Sequence, residues 1–133
     1  MPQVATGLRI AQIHNQASGS RNTGEEWVLI LNDGPHRWQL ASWLVTDETS
    51  QQLRPHIFRF PLTVAGAPWV FEPQYALYVI TGDGTDQLVT KSGNRPMYCF
   101  YWNRDAFVWN NRDDLVMLRH PNGEFATQPL PCP

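Results

Sequence analysis

Three observations predict an all-β fold for this 133-residue chain. Short apolar runs recur at intervals of roughly 8–12 residues. Gly, Pro, Asn and Asp gather between those runs, where tight turns need them. No stretch shows the 3.6-residue period of an amphipathic helix. Together these features indicate an antiparallel sandwich or barrel of many short strands.

Residues 1–6 read as a frayed end. Residues 8–14 form a first strand, whose apolar phase slips from Leu8 and Ile10 to Ala11 and Ile13. Such a slip predicts a β-bulge. Residues 15–24, around Ser18-Gly19-Ser20, have the composition of a mobile connection. Residues 25–32 make a second strand, closed by Asp33-Gly34-Pro35. Residues 37–41 and 43–46 read as short strands joined by a corner, and the polar residues 47–55 have room for a helical turn. In residues 56–60, Ile57 runs out of phase with Phe58 and Phe60. Residues 61–73 are irregular, punctuated by Gly66, Pro68 and Pro73. Residues 75–81 are the best central strand, and Gly82-Asp83-Gly84-Thr85-Asp86 is a turn or loop. In residues 98–123 an aromatic segment with Trp102 and Trp109 leads into the polar turn Asn110-Asn111-Arg112-Asp113-Asp114. A strand at 115–119, a Pro121-Asn122-Gly123 turn and a strand at about 124–127 follow. The chain shows no internal repeat. It reads as a single domain over 1–133, with its core in about 8–127 and a flexible Pro-rich tail.

Hydrophobic residues make up 42% and charged residues 17%, a globular composition with fewer charges than usual. The net charge is −2 and the ten basic residues are scattered, which argues against a nucleic-acid partner. No apolar run approaches the ~20 residues of a membrane span. The N-terminus lacks the basic start and apolar run of a signal peptide, and the compartment is left unassigned. Two cysteines, Cys99 and Cys132, make no disulfide framework. A bond between them would require their sulfurs to meet. The alternative is one small core residue and one loose tail thiol.

Catalytic and metal-binding patterns are weak. His14, His36, His56 and His120 lie far apart and share no ligand spacing for zinc. No serine sits in a nucleophile elbow, and Cys99 has no base nearby in sequence. The carboxylates in Gly82-Asp83-Gly84-Thr85-Asp86 alternate as in calcium loops, but the distal glutamate of that motif is absent. Glycines that permit positive φ in a turn are the simpler reading. Asp113-Asp114, Asn110 and Asn111 read as turn formers. The aromatics at 98–109, set between Arg95, Arg104 and Arg112, resemble a single-strand stacking platform in type, but a sandwich core also consumes aromatics.

Three strands are apolar on both sides. Val28 and Ile30 leave Trp27, Leu29 and Leu31 opposite, Val116 and Leu118 leave Leu115 and Met117, and Leu77 and Val79 leave Tyr78 and Ile80. A soluble domain rarely leaves such surface wet. Trp27, Leu29, Leu31, Leu115 and Met117 are therefore expected to form one docking face, covered by a partner, by a second copy, or by the chain's own segments 61–73 or 98–109.

Several segments, in order, resemble the bacterial form of the lamin-tail domain family: Glu26-Trp27-Val28-x-Ile30-x-Asn32, Leu40-x-x-Trp43-x-Val45-x-Asp47, Phe58-x-Phe60-Pro61, Val79-x-Thr81-Gly82-x-Gly84-Thr85-Asp86 and Tyr101-Trp102. The run Trp109-Asn110-Asn111-x-x-Asp114-x-x-x-Leu118-Arg119, then Gly123, completes the pattern. The family usually has glycine where this chain has Asp113. The resemblance implies an immunoglobulin-like antiparallel β-sandwich and a non-catalytic module, with no catalytic residues to carry over and no cofactor. The expected function is protein–protein contact or tethering. The alternative is a carbohydrate- or nucleic-acid-binding accessory module using exposed aromatics.

Overall fold

Side chains that alternate across a strand decide which side of each sheet is buried. The computed structural model describes residues 3–47, 56–110, 112 and 114–133. Its strands are β1 (Gln3–Val4), β2 (Leu8–His14), β3 (Trp27–Asn32), β4 (Leu44–Asp47), β5 (Ile57–Arg59), β6 (Thr63–Val64) and β7 (Ala67–Pro68). They continue with β8 (Ala76–Ile80), β9 (Gln87–Val89), β10 (Met97–Tyr101), β11 (Leu115–Arg119), β12 (Phe125–Ala126) and β13 (Leu130–Pro131). A five-stranded sheet runs β2-β3-β8-β10-β9 and a six-stranded sheet runs β1-β12-β11-β4-β5, with β13 also on β11. Pairing is antiparallel except for β8 with β10 and β1 with β12.

The core lies between the sheets. Val28, Ile30, Leu77, Val79, Tyr98 and Phe100 enter it from the five-stranded sheet, and Val45, Phe58, Val116 and Leu118 from the other. Each such side chain contributes roughly 1.5–3 kcal/mol when fully buried. The slip in the first strand is a bulge: the β2–β3 register shifts between Ile10 and Gln12. The strand expected at 75–81 is β8, in the middle of its sheet.

Several expectations need correction. Residues 37–41 form no strand; only a bridge joins Trp38 to Phe71. Residues 15–24 are anchored by two 3-10 turns, Gln16–Ser18 and Thr23–Glu25, and by buried Asn15 and Ser20. Residues 61–73 fold into a hairpin, β6–β7, whose turn places both Ala65 and Gly66 at positive φ (50° and 82°), as the primed hairpin turns demand. The Ala5 side chain is fully buried and its N–H donates to Ala126 O. Cys132 is buried and its N–H donates to Asp114 O. Both cysteines are free thiols. The helical turn expected in 47–55, the turn residue Asn111 and the glycine-site Asp113 fall largely or wholly outside the described residues.

Candidate functional site

The outer surface of the five-stranded sheet is built from the bottom up by cross-strand register. Trp27 pairs with His14 on one side and Ile80 on the other, and Ile80 with Tyr101. Gln12, Leu29, Tyr78, Cys99 and Gln87 make the next row. Arg9, Leu31, Ala76, Met97 and Val89 make the third. Neighbours in these rows point the same way, and their partners in the alternation (Val28, Ile30, Leu77, Val79, Tyr98, Phe100) fill the core. Trp27, Leu29, Leu31, Tyr78, Ile80, Met97, Cys99 and Tyr101 are half-buried. His14 stacks on Trp27 at 5.1 Å between ring centroids, and Tyr78 meets Trp27 edge-on at 5.2 Å. The rim is polar, with exposed Arg9, Gln12 and Gln87. Beyond the third row, Arg9 and Arg95 both bind the Asp33 carboxylate, at 2.8 and 3.2 Å. The Arg9 hydrogen bond, above all, holds that carboxyl below its usual range; desolvation works the other way and Arg95 adds to the lowering.

This arrangement corrects the single face expected from sequence. Trp27, Leu29 and Leu31 lie on the five-stranded sheet, whereas Leu115 and Met117 lie on β11 of the other sheet. The inner sides of both strands are in the shared core, so the two outer sides face away from each other. On the second sheet, Leu44 and Thr46 point outward by alternation yet are 5% and 1% exposed, so neighbouring groups already close over its centre. The two internal covers also fail. Val64, Trp69 and Phe71 of 61–73 enter the core, where Trp69 lies 4.7 Å from Phe100. Residues 97–101 are themselves strand β10, and Trp109 is fully buried.

Buried polar side chains brace one end of the sheet. Glu26, 0% exposed, accepts hydrogen bonds from Thr81 Oγ1 at 2.6 Å, Val108 N–H at 2.8 Å and Trp109 N–H at 3.3 Å. Asn15 Nδ2 donates to Trp109 O at 2.6 Å. His14 Nδ1 lies 2.8 Å from both Ser20 Oγ and Glu25 O, and Ser20 Oγ donates to Glu25 O at 2.7 Å. That closed triangle engages the serine hydroxyl with a carbonyl and fixes the imidazole beside Trp27. Buried Asp47 takes the His56 N–H on Oδ1 at 2.8 Å and lies 2.9 Å from His56 Nδ1 through Oδ2. These contacts explain order in the loops.

The remaining singled-out residues have structural places. Trp43 is buried, 6.3 Å from Phe125, and Trp102 is half-buried with Arg104 over its ring at 5.2 Å. Asn110 is exposed, Asp114 is 1% exposed, and Gly123 closes its turn at φ 82°. In the Gly82–Asp86 loop, neither Gly82 nor Gly84 has positive φ. A Cβ on Gly82 would lie 2.7 Å from Gly24 N, and one on Gly84 would lie 2.4 Å from the Tyr101 ring. The glycines therefore allow close approach. Asp86 Oδ1 accepts the Tyr101 N–H at 2.9 Å, which ties the loop to the end of the outer face. Sequence reasoning missed Glu26 as a brace and Tyr78, Ile80, Met97 and Tyr101 as face residues. The signal for Ile80 and Tyr78 was present in the two-sided apolar pattern of β8.

No curated protein matches the chain. The Lamin Tail Domain family model matches residues 2–128. With two packed β-sheets and a match over nearly its whole length, this chain belongs to the Lamin Tail Domain family of immunoglobulin-like domains.

Proposed function

We propose that the chain is a non-catalytic module that docks a protein partner on the outer face of its five-stranded sheet. The observation that carries this reading is an apolar centre on a surface the core does not use. Trp27, Leu29, Leu31, Tyr78, Ile80, Met97 and Tyr101 form that centre, and Arg9, Gln12 and Gln87 form a polar rim. Protein interfaces have this anatomy, with aromatics and Met enriched at the centre. The three central strands, ~4.8 Å apart and about five residues long, give an apolar footprint on the order of 240 Å² inside that rim.

The test is a pair of charges. Leu29→Asp with Tyr78→Lys should keep the β-sheet circular dichroism and cost no more than about 2 kcal/mol, because both sites are half-exposed. Val28→Asp, facing the core, should unfold the chain. The folded double variant should lose the protein that the parent chain retains from lysate. Unfolding of the double variant to the same extent as Val28→Asp would show that the face is core, and would overturn the reading.

A further inference from the structure

We infer that the occupant of this face is a proline-rich segment in the polyproline II conformation, seated on Trp27 and Tyr78 and carrying a carboxylate to Arg9. The inference rests on the docking face proposed above and names the chemistry of its partner. Area argues first against a broad folded surface. An apolar centre on the order of 240 Å² is far below the roughly 800 Å² that each side of a standard interface buries. One short chain segment fits it. Backbone chemistry then argues against an added strand. β3, β8 and β10 each have a neighbour on both sides, so their N–H and C=O groups are engaged in the ladders and the face offers side chains. A polyproline II segment asks for no ladder, because it has no internal hydrogen bonds and its prolines carry no N–H. Its free carbonyls need donors, which the Trp27 ring N–H and the Tyr78 hydroxyl supply.

Rings and charges fix where the segment lies. Tyr78 meets Trp27 at 86° and 5.2 Å, so the two half-buried rings make a corner. His14, stacked on Trp27 at 12°, holds that ring in place. Aromatic-lined recesses seat the preformed polyproline II helix, and a preformed ligand loses little entropy, so a small footprint can hold it. Arg9 is the one formal charge in the three rows of the face. It shares a single carboxylate, Asp33, with Arg95. Two guanidinium groups against one carboxylate leave that end positive, which calls for an acid on the partner. Arg9 reaches Asp33 through Nε, and a guanidinium has further N–H donors for a second carboxylate. The register sets the spacing, because Arg9 pairs with Leu31, in the third row, while Trp27 stands in the first. Trp27 and Arg9 are thus about 14 Å apart, counting ~3.3 Å per residue and one strand spacing of ~4.8 Å. At ~3.1 Å per residue, the acid falls about four or five residues from the proline in the corner. The residues between pass over Leu29 and Leu31.

Fluorescence anisotropy of short labelled peptides against the full chain tests this. Each peptide carries a run of prolines with a glutamate about four residues beyond it, placed before the run in one and after it in the other to cover both chain directions. Saturable binding of one of them is expected; no binding of either up to the solubility limit overturns the proposal. Alanine in place of every proline should weaken binding at least about tenfold, since the preformed helix is lost. Trp27→Ala should weaken it at least about tenfold, as removal of a central aromatic anchor does. Arg9→Glu should weaken it about three- to fivefold, the worth of an exposed ion pair, and lysine in place of the peptide's glutamate should restore it. Arg9 is exposed, so this charge swap decides the matter even where Trp27→Ala loosens the sheet. Equal binding of the proline and alanine peptides, or a charge swap without recovery, overturns the proposal. So does peptide binding that survives Leu29→Asp with Tyr78→Lys. A parent chain that holds a protein through this face yet binds neither peptide keeps the docking reading and sinks this one.

Discussion

Glu26 carries more of the fold than a charged residue at a strand entrance suggests. All three of its partners are donors: the Thr81 hydroxyl and the N–H groups of Val108 and Trp109. A carboxylate satisfies all of them, and Gln cannot, because its amide nitrogen must face a donor. Glu26→Gln should therefore cost about 2–4 kcal/mol in urea unfolding, since a buried donor is left unmade and a charge-assisted bond is lost. A loss below about 1 kcal/mol would mean the loop is held by its apolar contacts instead. Sequence showed Glu26 only as part of a family pattern; its burial depends on a loop more than 80 residues away, across a contact that no local period encodes. Cys132 makes the second prediction at this scale. Burial, then the charges of Asp114, Asp47 and Glu26, push its thiol from 9.0 up to about 12. A thiol raised in this way favours the folded chain fully below pH 9 and loses that contribution as pH climbs toward 12. The melting temperature should thus fall over that alkaline window. In Cys132→Ala it should fall less steeply; an identical slope would show that the thiol titrates normally.

The strands most legible in the sequence were those with unequal sides or a clear phase. β2, with its bulge, and β3 could be read almost to the residue, because Val28 and Ile30 alternate within a run of strand formers bounded by turns. β10 was not legible, because Tyr98 and Phe100 face inward while Cys99 and Tyr101 face outward, and all four are non-polar. β9 was hidden for another reason: three residues are too few to show a period. The candidate face divided in the same way. Trp27, Leu29 and Leu31 could be found from one strand, but that β11 belongs to the opposite sheet is a property of topology, not of pattern. Turn chemistry was half legible. Composition reads Gly82 as a turn glycine chosen for its φ, whereas its hydrogen in place of a Cβ lets Gly24 pass at the entrance to β3. Gly82→Ala should cost about 1–3 kcal/mol, because the clash is with backbone that cannot step aside as a side chain would. A neutral result in denaturant melts would show that the Thr23–Glu25 turn shifts freely.

For the molecule as a whole, the parallel pairing of β1 with β12 sets how it responds to mechanical load. The Gln3 N–H donates to Glu124 O at 2.7 Å and the Ala5 N–H to Ala126 O at 3.0 Å, on either side of the two paired positions. In parallel strands, tension applied before β1 and after β12 slides one strand along the other. The bonds then resist together, in shear. β13 runs antiparallel on β11 and would peel away first, one bond at a time, passing the load to β12. Tension along this path loads the β1–β12 pair in its stiffest direction. Gln3→Pro removes one of the shear bonds at an exposed position. Single-molecule extension should record a lower unfolding force for that variant; an unchanged force would place the mechanical resistance deeper in the sandwich.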